Sequence, residues 1–209
     1  MEKVANRRGH AAQTQGDIFR VALELFRTAG YELTTIQDIC EKANVSVGAF
    51  YYYYKSKEDV LNDSYRQIDH ALNEKYAHVR FDDPVRGIAD ILCSMAGCMQ
   101  EQGFRIPAQI CKNQITAADR FILDPNREYC MLVRRLVAQG CACGLFSPDY
   151  PEQMIVDTIL RVVRGILYDW CLHEGTYDLV RQVQADTQII LRHFEQAGMM
   201  SGARPEAYP

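Results

Sequence analysis

The chain has 209 residues, a formal net charge of −4, 48% hydrophobic residues and 24% charged residues. That composition supports a substantial core in one large domain, or in a small domain joined to a larger one, with a charged fraction ordinary for a soluble protein. No apolar run approaches the roughly 18 residues that span a bilayer, and the N-terminal MEKVANRRGHAAQTQGD has no apolar segment behind its basic residues, so neither a membrane span nor a secretory signal is read and the chain is expected to be cytoplasmic.

In chain order, residues 1–12 are expected to form a flexible arm. A first helix is predicted over about 15–29. Ile18, Ala22, Leu25, Phe26 and Ala29 share one face, Thr14 and Asp17 make a capping-box-like start, and Gly30 is the stop. Thr35 and Asp38 repeat that start for a helix over 36–43, with Ile36, Ile39, Cys40 and Ala43 facing inward. Asn44-Val45 turns the chain, Ser46 caps a helix over 47–53, and Ser56 with Asp59 opens a long helix to about residue 79. Pro84, at the first position of the next helix, loses no hydrogen bond there, and that helix ends near Gly103. An irregular helical stretch surrounds Pro107 and runs to about 117, and Asp124-Pro125 opens a helix ending at Gly140–Gly144. A strongly apolar helix runs from Pro151 to about 173, a last one from about 177 to 197, and the tail 200–209 is expected to be disordered. Strict two-residue alternation is absent, so the fold class is all-α, with about nine helices. The division expected is 1–12, 13–57, 58–199 and 200–209, with the fourth helix linking head to body.

Residues 1–57 carry a net charge of +2 and residues 58–209 a net of −6. A mildly basic head on an acidic body suits a head that meets phosphate. Eight cysteines, at 40, 93, 98, 111, 130, 141, 143 and 171, fall mostly in apolar helical patterns and read as small buried hydrophobes. Cys141 with Cys143, and Cys171 with His173, are two residues apart, pointing about 200° from each other on a helix, so neither pair chelates one metal. No metal or cofactor is expected. There is no GxSxG, P-loop, GxGxxG or HExxH, and the five histidines sit beside no evident nucleophile, so an enzyme is only a distant alternative.

Thr34 to Lys57, TTIQDICEKANVSVGAFYYYYKSK, carries the most information. Two short helices joined by a tight turn are what a helix-turn-helix requires, and its second helix must present small or polar side chains to base edges. Val47, Gly48 and Ala49 are small and stand at the start of that helix, while Val45 and Phe50 can dock on Ile36, Ile39 and Cys40. Tyr51, Tyr52 and Tyr53 follow, with hydroxyls for phosphate oxygens and rings for sugars or thymine methyls. Lys55 and Lys57 come next at a helix N-terminus, which also favours phosphate.

Residues 18–61 resemble the N-terminal domain of the TetR family of transcriptional regulators (TetR/AcrR-like). The residues that carry the resemblance are Ala22, Leu25-Phe26, Gly30-Tyr31, Thr34-Thr35, Ile36, Ile39, Ala43, Val45-Ser46, Gly48, Phe50-Tyr51, Tyr53-Tyr54 and Lys55-Ser56-Lys57-Glu58. Cys40 stands where the family usually has Ala, and Asn44 where it usually has Gly. The resemblance implies that Thr35, Tyr51, Tyr53 and Lys57 hold backbone phosphates and that Ser46, Val47, Gly48, Ala49 and Tyr52 face the major groove. Arg7 and Arg8 lie in an arm that reaches DNA in some relatives.

The resemblance also implies a homodimeric body that binds a small-molecule effector and releases a palindromic operator, with the last two long helices of each subunit pairing into a four-helix bundle. Ile155, Ile159, Val163 and Ile166 on one of them, and Val183, Ile190 and Phe194 on the other, are the expected dimer face. Met95, Met99, Phe104, Cys111, Tyr129, Tyr168 and Trp170 are the expected pocket residues, a soft set suited to an apolar or aromatic ligand. A cysteine-based redox sensor of the same fold is the alternative.

Overall fold

Local capping chemistry sets the helices of the head. The Thr35 and Asp38 side chains each accept a hydrogen bond from the other's backbone N–H, at 3.1 and 2.8 Å, and open α2 (Ile36–Ala43). Asn44 closes it in the left-handed conformation, φ 53°, which a short amide side chain tolerates. The Ser46 hydroxyl accepts from Ala49 N–H at 3.1 Å to open α3 (Val47–Tyr53), and Ser56 does the same for Asp59 at 3.2 Å to open α4 (Lys57–Tyr76). These form in a computed structural model that describes residues 2–118 and 120–195, with side chains from residue 13 onward.

The described residues form nine α-helices and a short 3₁₀ turn over Phe121–Leu123, with no strand named among them. α1 spans Glu2–Thr28. It therefore starts before the expected 15, and Thr14 and Asp17 lie inside it, where the Asp17 carboxylate accepts from Arg20 at 3.1 Å instead of capping. A free capping signal yields when the helix continues through it. Side chains of the expected arm, Arg7 and Arg8 included, lie outside the described residues, as does the tail.

The body is built from α4, α5 (Pro84–Gln102), α6 (Arg105–Thr116), α7 (Glu128–Ala142), α8 (Glu152–Leu172) and α9 (Leu179–Phe194). Ile88, Ile91, Leu92, Met95, Ala96 and Met99 are buried on α5, which packs on α4, α7 and α9. α6 is regular despite Pro107, which sits in the first turn where its missing N–H is not needed. α7 begins at Glu128, because the Asp124 carboxylate turns back onto Asn126 N–H at 2.9 Å and closes a separate turn.

The expected dimer face is corrected here. Ile155, Ile159, Val163, Ile166, Val183 and Phe194 are buried within one chain, and Ile190 is half-buried. A monomer core of this size needs the widest apolar stripe of each helix for itself. The stripe left exposed on α8 is Met154, Gly165, Tyr168 and Leu172, with Val162 half-buried beside it; on α9 Ile189 is exposed. Ile189 is 60% and Leu172 63% exposed.

Candidate nucleic-acid interface and body cavity

The four tyrosines are graded by helix geometry. Tyr54 is 3% exposed and donates to Asp63 at 3.1 Å, anchoring the end of α3 on α4. Burial pushes its phenol well above the ordinary range. Tyr53 is half-buried, whereas Tyr51 and Tyr52 are 55% and 80% exposed. The rings of Tyr52 and Tyr53 meet edge to face with centroids 4.9 Å apart, a contact that limits their freedom before any partner arrives. Ser46, Val47 and Gly48 are exposed at the start of α3, with Ala49 half-buried behind them. Phe50 is fully buried, with Ile39 and Cys40 beside it in the same core. The Cys40 thiol donates weakly to the Ser46 carbonyl at 3.8 Å, across the turn.

The Thr35 hydroxyl oxygen accepts from the Asp38 N–H as a cap, and its O–H is directed to the Asp38 carboxylate. The two hydrogen bonds from Thr35, backbone first, hold the Asp38 carboxyl below the usual carboxylate range. Lys55 is exposed, and its backbone N–H donates to Asp59. Lys57, expected to hold a phosphate, also has a role within the chain. Its ammonium donates to the Tyr31 and Thr34 carbonyls at 2.7 and 2.6 Å and lies 4.4 Å from the centre of the Tyr31 ring. Two of its three N–H directions thus tie the α1–α2 loop to α4. Sequence spacing showed only a lysine at a helix start; the carbonyls it meets are 23 and 26 residues away.

Head and body are joined by charge-assisted contacts. Arg105, at the start of α6, donates to the Arg27 and Thr28 carbonyls at 3.1 and 3.0 Å, and Lys112 pairs with Glu32 at 2.7 Å. The hydrogen bond and charge of Lys112 hold Glu32 below the usual carboxylate range.

In the body, an inner chamber of about 30 Å³ is lined by Tyr65, Met95, Ile122, Arg127, Tyr129, Cys130, Leu160, Val163, Arg164 and Leu167. An outer cleft of about 400 Å³ is lined by Cys111, Gln114, Ile115, Arg120, Ile122, Leu123, Arg164, Leu167 and Tyr168. Ile122, Arg164 and Leu167 belong to both walls and stand between them. Arg127 makes a two-pronged salt bridge to Asp69 of α4 at 2.7 and 2.8 Å, with side chains 11% and 8% exposed.

Of the expected pocket residues, Met95 and Tyr129 line the chamber, and Cys111 and Tyr168 the cleft. Met99 and Trp170 are instead core, Trp170 donating to the Tyr177 carbonyl at 2.8 Å, and Phe104 packs against the core beside Gly175. Tyr65, Arg127 and Arg164 were missed, since polar residues on α4, just before α7 and on α8 converge only in three dimensions. The Asp124-Pro125 break was the one signal near Arg127. Cys111 and Cys171 meet between α6 and α8. The Cys171 thiol donates weakly to the Phe104 carbonyl at 4.0 Å, and its interaction with Cys111 lowers Cys111 and, with burial, raises Cys171. All eight cysteines are free, and among the described residues no group of three or more His, Cys, Asp and Glu could hold a metal ion.

Residues 18–63 match the model of bacterial regulatory proteins of the tetR family. Over 198 residues the chain is 24% identical to the "Probable acrEF/envCD operon repressor" of Escherichia coli K12, covering 90% of this chain and 89% of the relative. In fold it is similar to FadR from Bacillus subtilis in complex with stearoyl-CoA, with TM-score 0.68, 16% identity, and coverage of 84% of this chain and 96% of that one. It is likewise similar to FadR from Thermus thermophilus in complex with lauroyl-CoA, with TM-score 0.62, 22% identity, and coverage of 93% and 100%. A helix-turn-helix whose small residues and two tyrosines stand open at the surface, carried on a helical body, agrees with these matches: residues 18–63 match the N-terminal domain of the tetR family, and the chain as a whole is similar to bacterial transcriptional regulators.

Proposed function

We propose that this protein is a homodimeric, cytoplasmic repressor that holds a palindromic operator through α3 and leaves it when a small molecule with an apolar body occupies the cavity. The observation that carries the reading is the reach of α4. Its first residue, Lys57, ties the head together, and its Tyr65 and Asp69 face the cavity region. Eight residues of helix separate Lys57 from Tyr65, about 12 Å at 1.5 Å per residue. A ligand that displaces Tyr65 therefore acts on the head through a rigid rod. Two heads on one dimer read half-sites one helical turn or a multiple apart, so a small change in their spacing costs operator fit. Thr35, Tyr51, Tyr53 and Lys55 are the phosphate contacts of this reading, and Ser46, Val47, Gly48, Ala49 and Tyr52 its groove face. Among the described residues no helix is long and apolar enough to cross a membrane. The reading is non-enzymatic, in keeping with relatives that are regulators.

Linkage supplies the test. Ligand and operator must weaken each other by the same factor. Titrating the ligand with and without a selected operator duplex should give two affinities whose ratio equals that of the operator affinities with and without ligand. Unchanged operator affinity at saturating ligand would sink the reading.

The Cys111–Cys171 contact favours one second reading, a thiol switch at the same α6–α8 junction. A peroxide would take two electrons and two protons from the pair, leaving as water and closing a disulfide. Peroxide treatment should then remove two mass units and change operator affinity, and Cys171→Ala should abolish both effects. Operator release that survives Cys171→Ala would dismiss it.

A further inference from the structure

The inner chamber holds two phenols in an unusual condition. Tyr65 and Tyr129 are 3% and 4% exposed, and both hydroxyl oxygens are buried with no hydrogen-bond partner. Both line the chamber. A buried hydroxyl without a partner costs about 1–3 kcal/mol, so two lining one chamber are poor core design and good site design. Each phenol is held by burial above its ordinary range, so each keeps its proton and can donate.

The charges of the same walls point the same way. No Asp or Glu lines either the chamber or the cleft, whereas Arg120, Arg127 and Arg164 do. Asp69 neutralises Arg127. Arg164 is half-buried where the two spaces meet and, among the described residues, has no carboxylate partner. The site therefore offers two O–H donors and one guanidinium at its inner end. The cleft leading to them is lined chiefly by Cys111, Ile115, Ile122, Leu123, Leu167 and Tyr168.

We infer that the cavity takes an amphipathic carboxylate head first: the carboxylate meets the Tyr65 and Tyr129 hydroxyls and Arg164, and the apolar body fills the cleft. A carboxylate accepts several hydrogen bonds at once and pairs with a guanidinium, and it is a small enough group to match a chamber of about 30 Å³. A coenzyme A thioester would have to lie the other way round, with its bulky head outside and its chain end against the unpaired donors. That arrangement leaves the donors unsatisfied, so the free acid is the form selected.

This inference rests on the effector-responsive reading above, and one experiment separates their failures. Calorimetric titration of the full chain uses decanoate, methyl decanoate, decylamine and decanoyl-coenzyme A, with operator affinity measured in parallel. Decanoate should bind at least tenfold more tightly than the ester and the amine. Arg164→Gln and Tyr129→Phe should each weaken decanoate at least fivefold while leaving the ester unchanged. Tyr129→Phe should melt no lower than the parent, because it removes an orphaned hydroxyl. Equal binding of acid and ester, no binding of decanoate, tighter binding of the thioester regardless of Arg164, or a lower melting point for Tyr129→Phe with unchanged decanoate affinity would each overturn the inference. Decanoate that binds as described without moving operator affinity would leave the carboxylate site standing and remove the effector reading. Operator release by the ester alone would do the reverse.

Discussion

Gly48 stands in the first turn of α3, and a methyl group added there would meet only the Ser46 hydroxyl, 3.8 Å away. Nothing within the chain needs a glycine at this position, yet glycine weakens a helix by roughly 0.5–1 kcal/mol relative to alanine. The cost is understandable if the empty space belongs to DNA. Gly48→Ala should therefore raise the head's stability by about that amount and lower operator affinity, read by thermal melting and by anisotropy of a labelled duplex. Unchanged operator affinity would remove Gly48 from the groove face. Lys57 is the opposite case, a residue whose apparent freedom is spent inside the protein. Two charge-assisted hydrogen bonds to the Tyr31 and Thr34 carbonyls imply that Lys57→Met costs on the order of 1.5–3 kcal/mol of stability. Lys55→Ala should leave the melting point in place and reduce the salt slope of operator binding by about 1. The two lysines are indistinguishable by spacing alone; what separates them is which carbonyls fold back within reach.

At the scale of elements, the head's two short helices and the start of α4 were legible because their boundaries are local chemistry. Thr35 with Asp38, Asn44, Ser46 and Ser56 each satisfy or close a helix end within a few residues. Thr14 with Asp17 has the same pattern and fails, because a capping side chain competes with the helix and loses where the helix can run on. α7 shows a different limit. Its first residue, Glu128, follows Arg127, whose guanidinium holds Asp69 on α4 fifty-eight residues earlier. This bridge is nearly dry, so Arg127→Met should cost about 3–5 kcal/mol by stranding the Asp69 carboxylate. The pair Asp69→Leu with Arg127→Met should recover most of that loss, measured by denaturant unfolding. A single variant as stable as the parent would mean that water reaches Asp69.

For the molecule as a whole, the phase of α8 and α9 is the instructive error. The widest apolar stripe on each, running through Ile159, Val163 and Val183, was assigned to a partner and is core. The narrower stripe through Met154, Val162, Gly165 and Leu172, with Ile189 on α9, is the one left for a second copy. Gly165 repeats the logic of Gly48, since an added methyl group would meet nothing within 4 Å in its own chain. Gly165→Arg or Ile189→Arg should yield a folded monomer with an unchanged helical spectrum, its mass read by sedimentation and its operator affinity sharply reduced. A dimer that survives both would place the interface elsewhere.

Sequence alone determined the helix-turn-helix, its likeness to the tetR-family domain over residues 18–63 and the order of the helices, because caps, turns and short-range periodicity act between residues a few positions apart. Tertiary structure decided which apolar stripe is core, which lysine is bound to carbonyls of its own chain and which polar residues share a cavity. Tyr65, Tyr129 and Arg164 come from three different helices, and their convergence depends on how those helices pack, a property no local pattern encodes.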